Sequence, residues 1–411
     1  MFERAYRQRL EADVARWQAE GVITPATGEA IRNSLPALGA GINIPVAVAI
    51  VGGVLIAAAF LAFVAANWIE IARLLRFAIL LTGIAAAYGV GAAFAHAGRP
   101  VLADLAASVG AVIFGAAIVL VGQMYQLGDD FAAGLLLWAA GALAAAALTG
   151  SRGALAVALA AGSVWTEMRV SDAADVPHLP FVLFWALSSG LAIAWNSRVA
   201  AHLVALAALW WWYAAASGLT RDPFIITDGA ALLLGAGLLL ANSPSESLRS
   251  FGIILSVYGA FALAALPSTA LAPLASGNAD PPAWAVGCGL AGMVLAFTAA
   301  TRQVGSAFAG ISIAFVLIVA NRLVQPVSGE SWAAYALELV AMLSLVVSGM
   351  LDGARPRAVA GWLGLAALIA SITWAFEGSL LHRSLFLAAA GVVTIAFAVL
   401  LGRVLPRESR R

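Results

Sequence analysis

The chain has 411 residues, of which 63% are hydrophobic and only 10% are charged, with a formal net charge of +1. Soluble domains are about 45–50% apolar and about 25% charged, so this composition excludes a soluble fold of the same length. It predicts instead an all-α protein, a polytopic transmembrane helical bundle. A net charge near zero supplies no basic field, and nucleic acid is therefore not expected as a partner.

The segment 1–43 differs from the rest of the chain because charged residues of both signs are frequent in it. Apolar residues recur at helical spacing over 2–17 and predict a first helix, with Gly21 as its C-terminal stop. Thr24 and Pro25 are the residue types of an N-cap and a first helical position, so a second helix is expected there. We interpret this segment as a soluble cytosolic hairpin whose apolar stripe packs on itself, on the membrane surface or on a cytosolic protein.

Apolar stretches of about the length that a transmembrane helix needs follow one another through residues 44–402. They predict about 14 spans across the lipid bilayer, and a basic cytosolic tail follows at 403–411. The stretch 154–168 is short, so 12 spans remain an alternative. The predicted spans are 44–66, 77–95, 105–121, 131–148, 154–168, 179–195, 199–219, 224–241, 251–271, 283–300, 304–320, 332–351, 358–376 and 384–402.

Arginine indicates the orientation of these spans. All 22 basic residues are arginine, and most of them lie inside if the N-terminus is cytosolic. The alanine-rich, lysine-free composition is typical of a GC-rich bacterial gene, and we expect a multi-pass protein of the bacterial cytoplasmic (inner) membrane with both termini in the cytosol. Arginines in the inner turns recur about every 50 residues, which indicates a repeated two-helix unit or simply an array of hairpins with basic turns. These arginines are Arg99, Arg152, Arg198, Arg249, Arg302, Arg355 and Arg403.

Tryptophans such as Trp68, Trp165 and Trp284 lie near the predicted outer ends of spans, which is typical of an aromatic belt at the membrane interface. The run from Trp210 to Tyr213 is interpreted as part of this belt. A stacking surface for a ligand is the alternative.

The most distinctive polar stretch joins two very apolar spans on the predicted outer side. Its polar side chains are those of Gln123, Tyr125, Gln126, Asp129 and Asp130. A re-entrant or unwound segment here would line a polar cavity, in which paired carboxylates bind a cation or relay a proton. The alternative is a loop in which Asp129 or Asp130 caps the helix that starts at Phe131.

Two carboxylates fall in or beside predicted spans. Glu338 is expected roughly 9 Å into its span, where a carboxyl must face the bundle interior, be protonated or find a partner. Arg322 and Asn321 are its candidate partners, and the alternative is that Glu338 reaches water at the outer interface. The position of Asp228 is equally ambiguous, since this residue would be a simple N-cap outside the span if the helix began at Gly229.

Several motifs in roughly residues 1–150 carry a resemblance to a known family. They are Leu10 to Ile31 with Trp17, Gly21 and Thr24-Pro25, then Asn67-Trp68 (where relatives often have His-Trp), Arg73 to Phe77, Phe114-Gly115-Ala116, Gly122 to Gln126 and Trp138. The chain resembles a bacterial family of predicted polytopic membrane proteins of unknown function, whose members open with a short soluble helical segment. The resemblance implies the same architecture and no substrate.

No complete catalytic motif is present, and no enzymatic activity or cofactor is predicted. A phosphate-binding Gly-x-x-x-x-Gly-Lys loop is impossible without lysine. The four histidines show no metal-ligand spacing, and the one cysteine, Cys288, excludes an internal disulfide.

The leading hypothesis is a transporter-like or permease-like protein for a small solute or ion. One alternative is a structural or regulatory scaffold whose N-terminal hairpin binds a cytosolic partner. The other is an intramembrane enzyme that acts on a lipid-linked substrate through Asp129, Asp130 and Glu167.

Overall fold

The computed structural model describes residues 2–34, 72–125, 130–172, 177–217, 224–265, 282–321, 323 and 332–375, with the single positions 52, 55 and 59. All regular structure in these ranges is helical, in fourteen helices. The first two are α1 (Phe2–Ala19) and α2 (Pro25–Ser34). The twelve that follow are α3 (Arg73–His96), α4 (Pro100–Tyr125), α5 (Phe131–Thr149), α6 (Arg152–Asp172), α7 (Leu179–Ala194), α8 (Arg198–Ala215), α9 (Ile225–Ala241), α10 (Glu246–Ala265), α11 (Ala283–Ala299), α12 (Gly305–Ala320), α13 (Trp332–Leu351) and α14 (Arg355–Ala375).

Each predicted span that falls within the described ranges coincides with one of the helices α3 to α14. Five stretches are long and apolar enough to cross a membrane, and they lie in α3, α4, α5, α10 and α13. Four shorter apolar helices accompany them, namely α7, α9, α11 and α12. The predicted helical membrane bundle is therefore confirmed, whereas the predicted spans 44–66 and 384–402 lie outside the described residues.

The ambiguous stretch 154–168 belongs to α6, a helix of 21 residues. At 1.5 Å per residue its length is about 30 Å, close to the thickness of the hydrocarbon core. One face of α6 is buried against α5 and α8 through small and apolar side chains such as Ala154, Leu155 and Ala158. The helix is thus an integral part of the bundle, and its crossing of the membrane stays a prediction.

Tight turns connect the helices in pairs, and each turn carries or adjoins one of the recurring arginines. At four of these turns, a residue with positive φ precedes the arginine by one or two positions. This left-handed conformation closes the C-terminus of the preceding helix, and glycine adopts it without the steric cost of a Cβ atom. The residues are Gly98 (φ 70°), Gly150 (φ 68°), Asn196 (φ 46°) and Gly353 (φ 67°).

Hydrogen bonds show that the turns after α9, α11 and α13 share one end of the bundle, which we call the arginine end. Arg302 Nη1 donates to the Asn242 carbonyl at 2.8 Å, and the Gly305 N–H donates to Asp352 Oδ1 at 2.8 Å. The opposite end, where α9 begins and α12 ends, is called the far end.

Helix α9 is the most enclosed helix of the C-terminal part of the bundle and packs on both α10 and α11. Its contact with α11 is backbone on backbone, because a methyl group on Gly235 would overlap the Gly292 carbonyl. A methyl group on Gly237 would overlap the backbone of Ser256 in α10. Small residues allow this close approach, and such packing holds the helices together in a bundle that has few polar groups to do so.

The N-terminal hairpin follows its local sequence signals. Gly21 has a φ of 72°, as its predicted role at the end of α1 requires. The Thr27 N–H donates to Thr24 Oγ1 at 3.2 Å, which is the predicted N-cap interaction at the start of α2. Val14 is buried between the two helices, while the division of the chain into 1–43, 44–402 and 403–411 stays a prediction.

Candidate functional site

Three buried polar residues lie towards the far ends of α9, α12 and α13, and we call them the polar cluster: Asp228, Asn321 and Glu338. Their side chains belong to residues that are only 1%, 7% and 1% exposed. Since α9 begins at Ile225, Asp228 lies within its first turn, and the interpretation of Asp228 as the N-cap of a helix from Gly229 is wrong. The burial of Glu338 likewise contradicts the alternative that it reaches water at the interface.

A hydrogen bond between side chains links two members of the polar cluster. Asn321 ends α12, and its Nδ2 donates to Asp228 Oδ1 at 3.2 Å and to the Leu317 carbonyl at 3.1 Å. Both of these neighbours are acceptors, so the amide nitrogen and not the amide oxygen must face them. The Asn321 Oδ1 is buried, and no donor in the described ranges reaches it.

Glycine leaves the space that the Asp228 carboxylate occupies. A Cβ atom on Gly289 of α11 would lie 2.5 Å from Asp228 Oδ1 and 2.8 Å from Leu317 Cδ2. On the neighbouring side, the ring of Trp212 packs directly on Gly229 and stacks on Trp284, with ring centroids 5.6 Å apart. The carboxylate therefore lies in a tight enclosure formed by three helices.

Three tryptophans that the sequence assigns to the aromatic belt lie inside the bundle instead. Trp165, Trp211 and Trp212 are buried, so the prediction of interfacial rings is wrong for these three. Trp210 and Tyr213 of the same run are exposed, with ring centroids 5.5 Å apart. Because consecutive side chains of a helix point about 100° apart, this one aromatic run places some rings in the interior and others on the surface.

The polar stretch after residue 121 is helical as far as the structure describes it. Helix α4 continues to Tyr125, so residues 122–125 are not unwound, and the side chains of Gln123 and Tyr125 are exposed. Asp130 is the N-cap of α5 and accepts a hydrogen bond from the Ala133 N–H at 2.9 Å, as the loop interpretation predicts. Gln126, Asp129 and Arg322 lie outside the described residues.

Asp130 also forms an ion pair, in which Arg169 Nη2 lies 2.7 and 2.9 Å from its two carboxylate oxygens. The hydrogen bond from Arg169, supported by the one from Ala133, holds the pKa of Asp130 below its ordinary value. Burial, with a smaller effect of the Arg169 charge, lowers the pKa of His178. The His178 ring meets Trp165 edge-on, and its Nδ1 lies 3.0 Å from Thr166 Oγ1.

The structure thus divides the predicted site residues between two places. Gln123, Tyr125 and Asp130 lie on α4 and α5, which pack on each other and on α6, whereas α13 carries Glu338 and packs on α12 and α14. No group of three or more His, Cys, Asp and Glu side chains that could hold a metal ion occurs in the described part of the chain. The link between Asp228 and Asn321 spans 93 positions of sequence, and no local signal predicts it.

Comparison with known proteins gives a match over the N-terminal third. No curated protein and no solved structure matches the chain. Residues 15–155 match the family model described as "Predicted membrane protein (DUF2157)", which confirms the resemblance to a membrane protein family of unknown function. Through this region, the chain is similar to the predicted membrane proteins of that family.

Proposed function

We propose that this protein moves a small solute or an ion across the membrane and that the polar cluster is the site it moves through. The observation that carries the proposal is the burial of two carboxyl groups, Asp228 and Glu338, among apolar helices. An ionisable residue within a membrane bundle is costly to desolvate, and such residues typically mark a pathway for an ion or a substrate.

Arg322 completes the proposed site. It follows Asn321 directly in the chain, and it is the arginine we assign to Glu338 as the partner of that carboxylate.

The orientation of the chain is part of the same proposal. Cytoplasmic turns are enriched in arginine, and the turns at the arginine end carry or adjoin one arginine each. We therefore place the arginine end and both termini in the cytosol of a bacterium, and the polar cluster in the outer half of the cytoplasmic (inner) membrane.

Cysteine accessibility tests this function without a known substrate. In a Cys288→Ser background, single cysteines replace Asp228, Glu338, Asp130 or Val294, and intact cells are treated with a membrane-impermeant thiol reagent. Asp130 is an exposed capping residue and should be labelled, whereas Val294 is an exposed apolar residue on α11 that faces lipid and should not.

Labelling at Asp228→Cys and Glu338→Cys is expected, because a transport pathway admits water to residues that are buried in the closed structure. If both stay unlabelled while Asp130→Cys reacts, water does not enter the polar cluster and the proposed pathway is refuted. Size-exclusion profiles like that of the parent protein would show that the variants left unlabelled by the thiol reagent are folded.

A further inference from the structure

An apolar groove runs between α6 and α8, and we call it the α6–α8 groove. Its volume is about 350 Å³, which lies within the range of small-molecule sites, about 300–1,000 Å³. Small residues such as Ala156 and Ala160 line it together with larger residues that are exposed at the surface of the bundle, among them Leu206 and Trp210. The groove is therefore open to the medium that surrounds the helices.

We propose that the α6–α8 groove holds one acyl chain of an anionic phospholipid whose phosphate group binds Arg152 and Arg198. The inference goes beyond the proposed function, because this site lies on the outer surface of the bundle and requires no transport.

The two helices that form the groove run in the same direction. His178, which precedes α7, joins their ends, since its Nδ1 lies 3.0 Å from Thr166 Oγ1 of α6 and its carbonyl accepts the Trp211 Nε1–H of α8 at 3.2 Å. Thr166 and Trp211 lie near the C-termini of their helices. The N-termini of α6 and α8 therefore lie at the opposite end of the groove.

Arg152 begins α6 on the same face that lines the groove. It precedes the lining residues Ala156, Ala160 and Ser163 by four, eight and eleven positions, and this spacing places all four residues along one side of a helix. At 1.5 Å per residue, Ala156 is about 6 Å along the helix axis from Arg152. A lipid whose head group binds this arginine can thus insert its chain directly into the groove.

Arg198 adds a second positive charge at this end of the groove. It begins α8 and directly precedes Val199, which has the helical spacing of four and eleven positions to the lining residues Leu203 and Trp210. Arg152 and Arg198 are both exposed, and no acidic partner of either one lies in the part of the chain that the structure describes. Both guanidinium groups are therefore available to an external anion.

The first amides of α6 are less available than these side chains. Asp104 of α4 accepts the Gly153 N–H at 3.2 Å and the Ser151 hydroxyl at 2.5 Å. An anion at this end would therefore depend on the arginine side chains and not on the N-terminus of α6.

The lining of the groove determines the chemistry of its occupant. Water does not fill an apolar space of this kind, because it finds no hydrogen-bond partners there. An acyl chain matches the apolar lining, and a guanidinium group donates parallel hydrogen bonds to a phosphate. Basic sites beside membrane helices typically bind anionic lipid head groups. The apolar groove and its basic end together favour an anionic phospholipid over free phosphate, which would leave the groove empty.

Native mass spectrometry of the purified, delipidated full-length chain in detergent tests the inference. The wild type should bind one phosphatidylglycerol about fivefold or more tightly than phosphatidylcholine with the same acyl chains. Arg152→Gln and Arg198→Gln should each weaken the binding of phosphatidylglycerol about fivefold, because an arginine near an anionic lipid contributes about that factor. Glycerol 3-phosphate carries the phosphate without acyl chains and should not compete.

Matched controls are available for both parts of the site. Arg355 is also exposed and also begins a helix, but α14 packs on α10 and α13, so Arg355→Gln should leave lipid binding unchanged. Ala160→Phe fills the groove and should weaken the binding of both lipids, whereas Ala291→Phe places the same ring on an exposed position of α11 and should not. Size-exclusion profiles of the variants show that they are folded.

Four outcomes would overturn the inference. They are equal affinities of the wild type for the two lipids, equal losses for Arg152→Gln and Arg355→Gln, unchanged lipid binding by a folded Ala160→Phe variant, and displacement of phosphatidylglycerol by glycerol 3-phosphate, which would identify a site for free phosphate. A lipid-free dimer that Ala160→Phe dissociates would assign the groove to a second copy of the chain and would overturn the inference as well.

Discussion

Asp352 and Arg357 form a buried ion pair at the arginine end, with Arg357 Nη1 2.7 Å from Asp352 Oδ2 and side chains 5% and 7% exposed. The second oxygen of Asp352 accepts the Gly305 N–H at 2.8 Å, and Arg357 also donates to Ser348 Oγ at 2.7 Å. A single pair thereby joins the start of α12, the end of α13 and the first turn of α14.

The first prediction concerns this pair. Asp352→Ala removes one partner and leaves a buried arginine without its counter-charge, so we expect a loss of about 3–5 kcal/mol of stability. Thermal unfolding of the detergent-solubilised protein measures the effect. Asp13→Ala is the control, since it breaks the exposed pair with Arg16, which is worth at most about 1 kcal/mol. Equal effects of the two substitutions would contradict the prediction.

The second prediction compares two glycines of α11. Gly289→Ala places a methyl group 2.5 Å from Asp228 Oδ1 and 2.8 Å from Leu317 Cδ2, so the carboxylate has to move and we expect a loss of about 1–3 kcal/mol of stability. Gly287→Ala meets nothing within 4 Å, and its stability should be unchanged or higher by up to about 1 kcal/mol, because alanine favours a helix more than glycine does. Thermal unfolding of the detergent-solubilised protein measures both effects, and a Gly289→Ala variant as stable as Gly287→Ala would contradict the tight enclosure of the carboxylate.

The third prediction is a pH dependence through His178. Its pKa in the folded protein is lowered by burial and then by Arg169, so the unfolded chain binds the proton more tightly than the folded one. The stability that this neutral histidine contributes is complete above the unfolded pKa of about 6.5 and is lost as the pH falls towards the lower folded pKa. The melting temperature of the wild type should therefore drop on acidification, and His178→Gln should drop less. A drop of the same size in both proteins would assign the effect to other groups.

The fourth prediction separates the transport function from the scaffold alternative. Val14 packs within the pair α1 and α2, so removal of residues 1–34 should leave the bundle folded, and cysteine labelling at Asp228→Cys and Glu338→Cys should stay within about twofold of the parent. If labelling survives and a cytosolic protein is lost from pull-downs of the truncated chain, the hairpin has a separate partner. Loss of this labelling by a folded truncation would contradict the independence of the two parts.

Local signals were sufficient for the existence of the helices and for the ends of the N-terminal hairpin. Gly21, Thr24 and Pro25 mark the hairpin, and the glycines before Arg99 and Arg355 mark two of the tight turns, because capping and left-handed φ depend on residues adjacent in the chain. Glu338 and Asp228 also stand out in sequence as ionisable groups in apolar surroundings. The sequence did not predict which face of each helix is turned towards the interior. Trp210 is exposed and Trp211 is buried although the two are neighbours.

The sequence by itself determined that this chain is a bundle of apolar helices joined by basic turns, because hydrophobicity, helix length and capping are properties of short segments. Only the tertiary structure decided that Asn321 meets Asp228 across 93 positions and that Gly289 leaves room for the carboxylate. It also decided that Asp130 pairs with Arg169 instead of joining Glu338. Those outcomes depend on which faces of distant helices pack together, and in an almost uniformly apolar sequence the pattern along one helix does not specify the face that its neighbour covers.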